Sequence, residues 1–189
     1  MFKIDIHTHI LPENLNEVTN SFSDPRFLRM ELIDDQSAML KKDGGDFRKV
    51  GCNCWNHQKR IQECDTTRVD VQVLSTIPVL FSYWAKDDEG LLLSRFLNDH
   101  IAKVVRNAPK RFIGLGTIPM QNTNYAIKEM DRCLNDLKFP GIELGSNING
   151  ENLSSERFNP IFEHAEKIGG SIFIHPWEMM GQADMQKYW

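Results

Sequence analysis

Apolar, strand-like runs begin near residues 112, 141 and 171. That spacing of about 30 residues is the size of one strand–helix–strand unit. The runs are Arg111–Thr117, Gly141–Gly145 and Ser171–His175, and two others precede them, Lys3–His9 and Val69–Thr76. Short continuous apolar runs suit strands buried on both faces, as in a parallel sheet. Helical stretches separate the runs. Asp88–Ala108 puts Leu93, Phe96, Leu97, Ile101, Val104, Val105 and Ala108 on one face, and Tyr125–Leu137 does the same for Ile127, Met130, Leu134 and Leu137. A further helix takes Asn159 as its N-cap and Pro160 as its first residue, and stops near Ile168 at Gly169-Gly170. The alternation predicts a parallel α/β fold. A TIM-type (β/α) barrel needs eight strands and typically about 250 residues. This chain of 189 residues offers five, so the expectation is one domain over residues 1–189 forming an incomplete barrel.

The first run ends in His7-Thr8-His9 and the last in His175, which Pro176 then stops. Side chains alternate across a strand, so His7 and His9 share a face and can grip one ion. Neutral imidazole is the commonest protein ligand for zinc and similar metals. Asp5 lies on the same face and is placed to support the pair from behind. His175 falls at the carboxyl end of its strand, where barrel enzymes keep their chemistry. On the residues alone two other readings stay open: incidental surface histidines for His7 and His9, and a core histidine for His175.

Residues 13–55 break the rhythm. The stretch is polar and irregular, and Asp43-Gly44-Gly45-Asp46 between apolar residues predicts a hairpin. Loops at the carboxyl end of the first strand overhang a barrel's site, which makes the insertion a candidate lid. Its Arg48 and Lys42 are candidates for holding an anionic substrate, against the reading of a solvated hairpin with ordinary surface charges. A helix is expected near Asn56–Thr66.

A net charge of −4 gives no basic surface and argues against nucleic acid. No run of about 20 apolar residues could span a membrane, and Asp5, His7 and His9 interrupt any signal-peptide core. The four cysteines show no disulfide framework. Cys52-x-Cys54 lacks a second pair at zinc-ribbon spacing, so free thiols in a reduced cytosol are expected.

The segments Ile4–Pro12, Leu74–Lys86, Arg111–Gln121 and Ile174–Trp177 carry a resemblance that runs along nearly all of the chain. They resemble the amidohydrolase-like superfamily of metal-dependent decarboxylases, the Leu74–Lys86 run being the most discriminating piece. The resemblance implies zinc-dependent, non-oxidative decarboxylation of aminocarboxymuconate semialdehyde in tryptophan–kynurenine catabolism. That reaction diverts a dicarboxylate semialdehyde from quinolinate and NAD synthesis. It places His7, His9 and His175 on metal ligands, Arg48 with Phe47 on the substrate-carboxylate site, and Lys42 near the same pocket. It also implies a cytosolic homodimer in which a partner subunit supplies a second arginine.

Two departures stand out. Arg68 precedes the second strand where the superfamily pattern usually has glycine. The chain also ends at Trp189, before the strands that would carry an aspartate ligand and a catalytic histidine. The expectation is therefore that the catalytic residues lie beyond Trp189 and that residues 1–189 alone are weakly active or inactive. The alternatives are a non-enzymatic fragment that pairs with full-length subunits, and a related metal-dependent decarboxylase of an aromatic acid.

Overall fold

The computed structural model of the protein describes residues 1–179. Strand β1 (Ile4–His9) leads through a short helix α1 (Asn16–Thr19) into an antiparallel meander of β2 (Arg29–Asp34), β3 (Ser37–Lys42) and β4 (Gly45–Gly51). Helix α2 (His57–Thr67) then returns the chain to β5 (Val71–Ser75), and α3 (Asp87–Asn107) returns it to β6 (Phe112–Gly114) and β7 (Gly116–Thr117). Helix α4 (Thr123–Asp131) precedes β8 (Gly141–Gly145). A small hairpin of β9 (Asn147–Ile148) and β10 (Glu151–Asn152) follows, then helix α5 (Asn159–Ile168) and β11 (Ser171–His175).

Parallel pairing runs β1–β5–β6 and β7–β8–β11. β6 and β7 are two halves of one predicted strand. The chain bends at Leu115, whose amide donates to the Leu74 carbonyl at 2.8 Å. Five strand positions therefore follow one another in sequence order, each joined to the next by a helix. Sequential winding is the barrel pattern; a doubly wound sheet would reverse its order.

The bend has a packing cause. A Cβ on Gly114 would meet Phe139 at 2.5 Å and Ile101 at 2.8 Å, and one on Gly116 would meet Cys133 Sγ at 2.4 Å. Only glycine lets the strand come this close to the helices behind it. Those helices bury Ile101, Val104, Met130, Ile161 and Ala165 against Leu74, Phe112, Ile142 and Leu144 of the sheet. A second apolar cluster lies beneath the meander, where Leu11, Leu15, Phe22, Phe27 and Leu40 pack with Trp55, Leu80, Leu93 and Leu97.

The local expectations meet several corrections. The helix expected over Tyr125–Leu137 is regular only to Asp131; a π turn over Arg132–Asp136 follows, with Cys133 fully buried against Gly116. Asn159 is not the N-cap. It is already helical, because a 3-10 turn over Glu156–Phe158 feeds α5 and the fully buried Phe158 occupies the capping position. The insertion is a three-stranded sheet, more ordered than its polar sequence suggests. Its tight turn has Asp43 and Gly44 both at positive φ (55° and 75°), with Lys42 paired to Gly45, the geometry of a type I′ hairpin. The stop of α5 at Gly169 (φ 71°) and the Asn56 cap on α2, whose side chain accepts from the Gln58 and Lys59 amides, follow the sequence rules.

Arg68 closes α2 in the left-handed region, at φ 59° and ψ 41°. A side chain with a Cβ there costs roughly 1 kcal/mol. Arg68→Gly is expected to raise stability by about 0.5–1 kcal/mol in a urea titration, with no change in the site. A loss of stability would mean that the arginine side chain holds more than its backbone strain costs.

Candidate metal centre

His7 and His9 leave β1 on one side, as the i, i+2 spacing dictates. His175 stands at the end of β11, the far strand of the five. Even so the three rings meet, with centroids 5.1 Å apart for His7–His9, 4.7 Å for His7–His175 and 5.1 Å for His9–His175. The sheet must therefore curl so that its two outer strands face each other across the site.

A fourth side chain joins them, and the sequence reading missed it. Glu143, in the middle of β8, is 1% exposed, and one ligand atom from each of His7, His9, Glu143 and His175 lies within 4.8 Å of the others. The signal in the sequence was a lone carboxylate inside the otherwise uncharged strand Gly141–Gly145. Burial pushes the Glu143 carboxyl up to about 8, against the hydrogen bond it accepts from Ser75.

Ser75 links the carboxylate to the histidines. Its Oγ lies 3.0 Å from His9 Nδ1 and 3.0 Å from Glu143 Oε1. With Nδ1–H donating to Ser75 and Ser75 donating to Glu143, His9 keeps Nε2 free. Burial, followed by the charges of His175 and His7, lowers the His9 pKa to about 4. Burial, the larger effect, also lowers that of His175. Both shifts favour the neutral ring that metal ligation requires. His175 Nδ1 sits 2.7 Å from the Pro176 carbonyl, which can only accept, so Nδ1 carries the proton and Nε2 is the available donor atom.

Arg60 was also missed. It is anchored from α2, with Nη2 donating to the His9 carbonyl at 2.7 Å and Nε to the Asn53 carbonyl at 3.1 Å. Asp5 is not in the cluster. Its carboxylate accepts from the His7 amide at 3.4 Å and from Gln72 at 3.3 Å, so it steadies the β1 backbone.

The histidines open into a cavity of about 630 Å³. Phe47 and Arg48 of β4 line it, with Leu40, Val50, Ile77, Val79 and Trp177 as apolar wall. The Arg48 guanidinium lies 5.7 Å from the Phe47 ring centre and forms no ion pair among the described residues. Lys42 is not among the lining residues. It stands at the turn end of β3, two residues beyond Leu40 and paired with Gly45. Cys54 borders the cavity, but Cys52 is turned toward Gln36; all four cysteines are free.

A sequentially wound parallel α/β sheet, with histidines gathered at the carboxyl ends of its outer strands, defines a barrel-type metal-enzyme class. The chain belongs to the amidohydrolase family, whose family model matches residues 4–187. It is 49% identical over 187 residues to a 2-amino-3-carboxymuconate-6-semialdehyde decarboxylase of Dictyostelium discoideum, covering 99% of this chain and 52% of that protein. A protein of the same name from Caenorhabditis elegans is 30% identical over 237 residues, covering 99% of this chain and 59% of its own length. The fold is shared with a dihydroxybenzoic acid decarboxylase from Polaromonas sp. JS666 solved with bound manganese. That likeness has a TM-score of 0.71 at 18% identity, over 99% of this chain and 52% of that one. The chain spans about half the length of the curated relatives it matches.

Proposed function

We propose that this chain carries the amino-terminal, metal-binding half of a non-oxidative decarboxylase, with 2-amino-3-carboxymuconate 6-semialdehyde as substrate. The observation that carries the reading is the meeting of His7, His9 and His175 in a cavity that Arg48 also lines. The reading places the activity in tryptophan–kynurenine catabolism, in the cytosol, and in a homodimer. Residues 13–55 act as the lid of the site.

The donor set fits zinc or a similar divalent ion: three ring nitrogens and a buried carboxylate converge, and Glu143 Oε2 has no hydrogen-bond partner among the described residues. Bound there, such an ion supplies positive charge to stabilise electron density that develops in the substrate. The chain's own residues do the rest. Arg48 offers a planar fork that holds a carboxylate by two parallel hydrogen bonds. The apolar wall excludes water around the reacting carbon, and Arg60 and Ser75 fix the position of His9. The carbon–carboxylate bond breaks, carbon dioxide leaves, and a proton replaces it on carbon.

The sheet leaves β1 and β11 each with one strand neighbour among the described residues, and Ile4, Ile6 and Ile174 at these edges are exposed. Such edges support the incomplete-barrel reading, in which further strands close the sheet and complete the catalytic set. The test fuses residues 1–189 to the carboxyl-terminal half of the Dictyostelium relative and compares it with the 189-residue chain. Decarboxylation, followed by loss of semialdehyde absorbance, is expected in the fusion and at least about 100-fold weaker in the shorter chain. Equal turnover in the two would contradict the half-barrel reading, and none in either would contradict the decarboxylase.

A further inference from the structure

We propose that Glu143 is a further metal-ligating side chain, which joins His7, His9 and His175 at one ion. The proposal rests on reading the histidine cluster as a metal centre. It adds a ligand from a strand that the histidine motifs do not mark.

The placement follows from the register. Glu143 pairs with Phe173 of β11 and Thr117 of β7, and Gly145, two residues on, pairs with His175. Residues two apart on a strand share a face, so Glu143 and the His175 position open on the same side. Gly145 has no side chain to intervene, and its amide donates to the Tyr83 hydroxyl at 3.0 Å, which pins the end of β8 beside the site.

The environment of the carboxylate leaves one of its oxygens open to a partner. Glu143 is 1% exposed, and only one of its two oxygens is engaged, through Ser75. No arginine or lysine among the described residues forms an ion pair with it; the nearest basic atom is His9 Nδ1, 3.9 Å from Oε1. Arg60 spends its guanidinium on the His9 and Asn53 carbonyls and on Gln72. In its ionised form, a carboxylate at this depth is stabilised by a neighbouring counter-charge. A divalent cation among the three imidazoles supplies that charge, and Oε2 is the atom left to take it.

The distances allow this. Neighbouring ligands of a tetrahedral zinc ion lie about 3.3–3.6 Å apart, given bonds of about 2.0–2.2 Å to nitrogen and oxygen. The four donor atoms already lie within 4.8 Å of one another, so side-chain rotations of about 1 Å close the set. Three neutral imidazoles and one carboxylate reduce a 2+ ion to a net charge of +1.

The experiment reads metal binding, not turnover. The 189-residue chain is stripped of metal, and its zinc affinity is measured by competition with a chromophoric chelator. Cobalt(II) is then titrated in, and its visible bands report the donor set. Against wild type stand Glu143→Gln, which keeps the shape and the Ser75 contact; Glu143→Asp, which keeps the charge but shortens the reach; and His9→Ala. The expected result is one ion per wild-type chain, a loss of at least about 10-fold in zinc affinity for both Glu143 variants, and a shifted cobalt spectrum. Thermal melting of the metal-free Glu143→Gln protein is expected to stay at or above that of wild type. If both Glu143 variants match wild type in affinity and spectrum while His9→Ala loses binding, Glu143 is not a ligand, and the histidine centre stands without it. If His9→Ala binds as tightly as wild type, the metal centre itself is overturned.

Discussion

In the fusion that completes the barrel, Arg48→Ala is expected to lower decarboxylation about 100-fold or more while leaving the metal content unchanged. Arg48 lines the cavity beside the histidines and is not one of the clustered donors, so on the proposed reading its loss would remove the grip on substrate carboxylate and spare the metal ligands. Arg48→Lys is expected to recover little, because an ammonium cannot give two parallel hydrogen bonds to one carboxylate. Phe47, whose ring lies beside the guanidinium, helps to hold the fork in place. Steady-state kinetics alongside metal analysis checks this. Unchanged kinetics in Arg48→Ala would return Arg48 to an ordinary surface charge.

A second large effect lies behind the sheet. Asn98 of α3 is fully buried and makes three hydrogen bonds. Its amide donates to the Thr117 carbonyl and to Glu129 Oε1, both at 2.8 Å, and its carbonyl accepts from the Thr117 amide at 2.7 Å. Glu129 is itself fully buried and is otherwise held by Arg132 and Arg95. Asn98→Ala would strand the buried Thr117 amide and carbonyl and weaken the pairing of a buried charge. The expected cost is about 3–4 kcal/mol by urea unfolding. Thr117 pairs with Glu143, so the same change should also loosen the strand that carries the candidate fourth ligand. A cost below about 1 kcal/mol would mean that water reaches these groups when Asn98 is removed.

The strands and the histidine triad were legible in the sequence because each rests on a local rule. Apolar runs at a regular spacing report strands buried by helices, and His-x-His at a strand end reports a shared face. What was not legible depends on partners distant in the chain. The bend at Leu115 exists because Gly114 and Gly116 receive Phe139, Ile101 and Cys133, and no window around residue 115 contains all of these. The meander seemed irregular because its apolar residues, Phe22, Phe27 and Leu40 among them, are sparse and find their core only against α3 and Trp55. Lys42 and Arg48 looked equivalent as charges on one hairpin, and only the register shows that one lines the cavity and the other stands at the turn. Glu143 and Arg60 sit in segments that the sequence reads as a plain strand and a plain helix. Their significance comes from what the fold places opposite them, Ser75 and the His9 backbone.

The central claim is that one ion is held between β1 and β11. Crystals of the 189-residue chain grown with zinc, with diffraction data collected on either side of the zinc absorption edge, test it most directly. The account predicts a single strong anomalous peak with a nitrogen of His7, His9 and His175 each about 2.0–2.1 Å away. A peak elsewhere, or His175 turned away from His7 and His9 with no peak between them, would contradict it.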